Sequence, residues 1–221
     1  MDAQPRVIAR RSRLPTAVAM GSLGGFGAVL MLVRHGRTKA FDAAMTLRIQ
    51  AARHPVIETA MRVASWPGFP PQSRLIPPAV IGSLAATGLR AEAMAETAAW
   101  GTAALSTAVK AFMDRPRPVA GTDIRVVAAP LGGSSFPSGH VLTYVGVYGF
   151  LAFLAATLLR PAALRRLSVA TLLGLIAFVG PSRIQQGHHW PTDVTASYLL
   201  GTAYLVGVIG LYRRLRGPRP G

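Results

Sequence analysis

Six runs of apolar residues divide the chain: residues 16–33, 75–89, 93–113, 141–159, 167–180 and 194–212. A helix that crosses the hydrocarbon of a bilayer needs about 20 predominantly apolar residues, with a range of roughly 17–25. The second and fifth runs fall short of this unless flanking residues such as Pro77, Pro78 and Pro181 are partly immersed. The pattern predicts an all-α integral membrane protein built as a six-helix bundle.

Residues 40–66 follow a different rule. Phe41, Ala44, Met45, Ile49 and Ala52 fall at i, i+3, i+4, i+8 and i+11. That spacing predicts an interfacial amphipathic helix between spans one and two, lying in the head-group region. A helix packed against the bundle would show the same spacing. Pro55 breaks the pattern, and Trp66-Pro67-Gly68-Phe69-Pro70-Pro71 ends it in an aromatic-flanked turn.

Composition agrees with a membrane setting. Of the 221 residues 51% are apolar and 14% charged, against about 25% charged in soluble domains, and the mean hydropathy is +0.37. The length suits one domain. The net charge of +16 comes from 22 arginines and two lysines set against eight acidic residues. A nucleic-acid binder would gather these on one soluble face. Here most stand in short groups beside the apolar runs, such as Arg10, Arg11 and Arg13, Arg165 and Arg166, and Arg213, Arg214 and Arg216. Basic groups at span borders meet anionic lipid head groups, so the expected partner is a bilayer and not nucleic acid. The chain has no cysteine, which excludes disulfides and thiolate metal sites. Residues 5–33 resemble a signal peptide, but no small-residue cleavage pattern follows, and the stretch reads as a retained first helix. The organisation expected is a basic cytoplasmic segment (1–15), a six-span domain (16–212) and a basic cytoplasmic tail (213–221).

Three segments are too polar for span connections: residues 110–118, 137–140 and 182–193. In a six-span layout all three reach the same membrane face, and ionisable groups converging at one end of a bundle mark a functional site. Lys110, Arg117 and Arg183 are cations with few local acidic partners. Arginine offers a planar fork matched to phosphate oxygens, and lysine adds a point charge. Ser138 contributes a hydroxyl. Gly139 can bring its backbone N–H close to an anion at the start of a helix. His189 and Asp193 are four apart and share a helix face. A carboxylate that fixes one ring nitrogen makes the other a better nucleophile, which leaves His140 to protonate the departing oxygen. His188, five residues from Asp193, is expected to point elsewhere. Asp114, Arg115, Asp123 and Arg125 read as loop charges, and Tyr144, Tyr148 and Trp190 as packing or interfacial aromatics.

These segments resemble the three signature motifs of the type 2 phosphatidic acid phosphatase (PAP2) superfamily, K-x6-R-P, P-S-G-H and S-R-x5-H-x3-D. Lys110, Arg117, Pro118, Pro137, Ser138, Gly139, His140, Ser182, Arg183, His189 and Asp193 match in order and spacing. The resemblance implies a six-helix membrane enzyme that hydrolyses a phosphomonoester or pyrophosphate of a lipid without metal or cofactor. It implies His189 as the nucleophile forming a phosphohistidine, Asp193 as its orienting partner and His140 as the leaving-group acid. Lys110, Arg117, Ser138, Gly139 and Arg183 would bind phosphate. Soluble acid phosphatases and vanadium haloperoxidases share the motifs, but the apolar runs argue against both. A transporter or channel with a basic anion site is the alternative, and it would need no nucleophile with an orienting carboxylate.

The basic residues orient the chain weakly. With both termini cytoplasmic, twelve fall on each side. Three of the outer twelve (Lys110, Arg117 and Arg183) have a use in chemistry, which favours an active site on the outer face of a bacterial-type plasma membrane. The expected substrate is a lipid phosphate of the phosphatidic acid, phosphatidylglycerol phosphate or polyprenyl pyrophosphate class.

Overall fold

In a computed structural model, which describes residues 13–52, 54–119, 123–127 and 132–216, proline, glycine and the motif loops cut the chain into helices. Arg6, Arg10, Arg11 and the tail beyond Arg216 lie outside the described residues. α1 (Leu14–Arg34) has Pro15 in its first turn and stops at Gly36, whose φ of 70° suits glycine. α2 (Lys39–Ala51), α3 (Pro55–Ser65) and a 3-10 turn (Trp66–Gly68) precede α4 (Gln72–Ala86). α5 (Arg90–Trp100) and α6 (Thr102–Met113) lead into the first motif loop. α7 (Gly139–Thr143) continues through a π turn (Tyr144–Tyr148) into α8 (Gly149–Leu158). α9 (Ala162–Gln185) and α10 (Pro191–Arg216) complete the all-α architecture.

Among the described residues, four helical segments are long and apolar enough to cross a membrane: Leu14–Arg34, Gly139–Leu158, Ala162–Gln185 and Pro191–Arg216. Only 6% of the most apolar stretch of α1, and of α9, is buried inside the protein. Leu23, Met31, Leu167, Leu173 and Phe178 stand exposed there. Apolar surface of that extent is suited to lipid. The protein is an integral membrane helical protein.

The remaining two runs depart from simple spans. α4 has 15 residues, about 22 Å of helix against about 30 Å of hydrocarbon. The third run is divided at Gly101. There the Tyr204 hydroxyl fills the place a Cβ would take and donates to the Ala98 carbonyl at 2.8 Å. The fifth run, short in sequence, extends at both ends to 24 residues and carries Ser182 and Arg183 in its last turn.

α2 is amphipathic with its polar side inward. Asp42, Thr46 and Gln50, spaced four apart, are buried, while Phe41 and Leu47 face out. It therefore packs on the bundle through polar groups and offers apolar ones to the surroundings, which joins the two arrangements open from sequence. The core centres on the helix through α7 and α8, where Val141, Leu142, Val147 and Phe150 are fully enclosed. The C-terminal ends of α6 and α9 meet the N-terminal ends of α7 and α10, gathering the motif segments.

Candidate active site

The third motif segment is shaped by Gly187, at φ 72°. A Cβ there would overlap the Arg125 carbonyl, so only glycine permits both the left-handed turn and the approach of the 123–127 loop. The turn delivers His188 and His189 just before α10. Both are buried.

His189 Nδ1 lies 2.8 Å from the Ser135 carbonyl oxygen and 3.6 Å from Asp193 Oδ2. A carbonyl can only accept, so Nδ1 carries the proton and Nε2 keeps its lone pair. Nε2 faces Arg117 Nη1 at 3.4 Å. Asp193 thus stands beside Nδ1, just beyond hydrogen-bond distance, and the direct hydrogen bond goes to Ser135. Burial, with Arg117 and Lys110 adding to it against the opposing pull of Asp193, pushes His189 down to about 4. Its ring is neutral near pH 7, as a nucleophile must be.

Arg117 is the cation that meets this nitrogen, and Lys110 and Arg183 are held nearby by loop and motif groups. Lys110 Nζ donates to the Ser134 carbonyl at 2.6 Å, and Arg117 Nη2 reaches the same oxygen at 3.3 Å. Arg117 Nη1 donates to the His188 carbonyl at 2.8 Å, and burial lowers its guanidinium from the usual value. Arg183 is wholly buried and donates through Nη2 to Gln186 and, at 2.5 Å, to His188 Nδ1. Arg117 Nε, Arg183 Nε and Nη1, Ser138 Oγ and His140 Nε2 are buried with no hydrogen-bond partner among the described residues. Orphaned buried donors are costly. Donors of this kind on two arginines and a serine fit a tetrahedral oxyanion.

His188, expected to point away from Asp193, reaches Arg183 inside the site. Because arginine always donates, its Nδ1 accepts and its proton sits on Nε2. Burial first, then Arg183, His189 and Arg117, push it down to about 3. Ser138 precedes α7 with its N–H donated to Ser197 Oγ at 2.7 Å, and Ser197 donates in turn to the Asp193 carbonyl at 2.6 Å. Lys110, Gly139 and His140 share a cavity of about 360 Å3 with Pro67, Gly68 and Tyr144. All eight sequence-selected residues stand at this end of the bundle.

The PAP2 superfamily profile matches residues 93–216, more than half of the chain. The chain belongs to the PAP2 superfamily. Two solved structures share this PAP2 fold. The first transmembrane PAP2 type phosphatidylglycerolphosphate phosphatase from Bacillus subtilis superposes with a TM-score of 0.72 at 22% identity, covering 87% of this chain and 94% of that one. LpxE from Aquifex aeolicus superposes with a TM-score of 0.60 at 22% identity, covering 77% of this chain and 95% of that one. A comparison with curated proteins gave no significant match.

Sequence reasoning missed the buried network behind His189. Arg115, read as a loop charge, bridges Asp42 Oδ2 at 2.6 Å and Asp193 Oδ1 at 2.5 Å. Asp42 also accepts from the Thr192 N–H and hydroxyl. Asp193 Oδ2 accepts from the Trp190 N–H at 2.9 Å. Arg125, the other arginine read as a loop charge, is tied to Gln50 of α2 through its N–H and its guanidinium. The signal for Asp42 was a carboxylate flanking the apolar stripe of α2.

Proposed function

We propose that this PAP2 protein is a membrane lipid phosphate phosphatase working through a phosphohistidine on His189. The observation that carries this reading is the His189 ring, held by the Ser135 carbonyl with Nε2 turned toward Arg117. In the proposed first step Nε2 attacks phosphorus, a P–N bond forms and the bond to the lipid oxygen breaks. His140 gives that oxygen a proton. In the second step His140 takes a proton from water, whose oxygen displaces His189 and releases inorganic phosphate. Lys110, Arg117, Arg183, Ser138 and the Gly139 N–H hold the oxyanion as charge develops, so the chemistry is proposed to need no metal.

The cavity beside His140 runs between α4 and α6 past Ala103, Trp100 and Val147. It supports entry of the lipid alcohol from the side, with α4 and the α5–α6 pair as the second and third of six crossings. We place the site on the outer face. Phosphatidylglycerol phosphate, named for the Bacillus subtilis relative, joins phosphatidic acid and a polyprenyl pyrophosphate as substrates to be tested. The test is phosphate release by purified protein in detergent with EDTA. Release from at least one of these lipids supports the proposal. Activity lost to EDTA and restored by Mg2+ sinks metal independence, and silence on every lipid sinks the function.

A further inference from the structure

The segment before α4 reaches the site from outside the three motifs and outside the residues matched by the PAP2 profile. It is pinned at two points. Ser65 Oγ hydrogen-bonds Ser182 Oγ, and the Tyr144 hydroxyl donates to the Ala64 carbonyl at 2.7 Å. Beyond these anchors the 3-10 turn places Phe69 among three groups of the second and third motifs. The Arg183 guanidinium carbon lies 4.6 Å from the Phe69 ring centroid. His140 meets the same ring edge-on at 5.1 Å, and His188 does so at 6.2 Å. Gly68 allows the approach, since a Cβ there would overlap His140 Cδ2.

A guanidinium lying over an aromatic face is held by the ring quadrupole, and its in-plane N–H groups remain available for hydrogen bonds. Arg183 Nε and Nη1 are such groups, buried and without a partner among the described residues. His140 likewise has Nε2 buried and unpartnered, with its ring against Phe69 and the Gly68 backbone. One side chain thus borders both the anion-binding arginine and the proposed leaving-group acid.

Resting on the phosphatase reading, we propose that Phe69 is a positioning residue that orients Arg183 toward the phosphoryl oxygens and His140 toward the leaving oxygen, with Gly68 as the backbone position that admits His140. The two roles separate by measurement. Vanadate binding, followed by calorimetry on the full chain in detergent, reads Arg183 and needs no turnover. The ratio of turnover on a lipid monoester to that on nitrophenyl phosphate reads His140, because only the lipid alkoxide needs a proton.

Phe69→Leu should weaken vanadate about tenfold and lower the lipid-to-nitrophenyl ratio, while Phe69→Trp should restore both. Gly68→Ala should lower the ratio and leave vanadate binding near wild type. Loss of folded protein alone would reduce the active fraction without moving the dissociation constant or the ratio. Phe69→Leu with both quantities at wild-type values would overturn the positioning role. Wild-type protein that binds vanadate but hydrolyses no substrate would overturn the phosphatase reading, and the vanadate arm would still decide the role of Phe69 toward Arg183.

Discussion

Arg115 Nη1 stands 2.5 Å from Asp193 Oδ1, and its Nη2 stands 2.6 Å from Asp42 Oδ2. One guanidinium therefore ties the carboxylate beside the proposed nucleophile to α2. All three side chains are buried or nearly so, and breaking a buried pair by removing one partner costs about 3–5 kcal/mol. Arg115→Gln should lower the melting temperature. It should also reduce kcat, by up to about a hundredfold if His189 shifts by about 1 Å. Asp42→Asn should act in the same direction and more weakly, because Asp193 keeps Arg115. Wild-type kcat and melting temperature in Arg115→Gln would show the bridge to be incidental.

The site motifs were legible because their chemistry repeats at fixed local spacings: four residues from His189 to Asp193, seven from Lys110 to Arg117. The runs at 16–33, 141–159 and 194–212 were legible as spans, but run length alone misled, because 93–113 is divided and 167–180 belongs to a 24-residue helix. The Arg115 bridge was not legible, since its partners lie 73 and 78 positions away and only tertiary folding brings them together. Phe69 was hidden for the same reason. Gly101 shows a different limit, because its break depends on a hydroxyl from Tyr204 on another helix. In α2 the stripe read from sequence divides, with Phe41 and Ala44 exposed and Ile49 packed on the core, and the face that reaches the site carries Asp42, Thr46 and Gln50.

Rapid quenching with a labelled lipid phosphate should trap label on His189, alkali-stable and acid-labile. His189→Ala should lose both label and turnover. His188→Ala removes an acceptor from Arg183 and no nucleophile, so it should raise KM severalfold and keep the label. A dead His188→Ala beside an active His189→Ala would reverse the assignment.

The two histidines also set a pH dependence. His189 is pushed down to about 4 and His188 to about 3, both below the usual value of about 6.5. Between those values the unfolded chain binds more protons than the folded one. Stability is therefore full above about 6.5 and falls as pH drops toward 4 and then 3. The acid limb of kcat/KM that belongs to the enzyme should fall near 4, after correction for ionisation of the substrate. A limb near 6.5 that persists in His188→Ala would contradict the neutral His189 derived from its burial.

Topology can be read with single cysteines, because the chain has none of its own. Asp123 is exposed in the loop before the second motif, and Arg214 is exposed at the opposite end of α10. In intact cells an impermeant thiol reagent should label Asp123→Cys and spare Arg214→Cys. The reverse pattern would place the site on the cytoplasmic face.

His140 and His189 should separate by leaving group. A lipid alkoxide leaves poorly unless protonated, whereas a nitrophenolate leaves without help, so loss of a general acid is felt mainly on the lipid. His140→Ala should cost about 10²–10⁴-fold on a lipid monoester, the usual scale of general acid catalysis, and much less on nitrophenyl phosphate. A polyprenyl pyrophosphate, whose leaving group is itself a phosphate, should fall between the two. His189→Ala should abolish all three reactions, since no phosphoenzyme can form. The buried, unpartnered Nε2 of His140 is compatible with either proton donation or phosphate binding, and the substrate series tells them apart. A general acid gives losses graded by leaving-group quality, whereas a binding group gives one loss common to every substrate. Equal losses on lipid and nitrophenyl substrates would therefore remove His140 from proton transfer and leave it as a phosphate ligand.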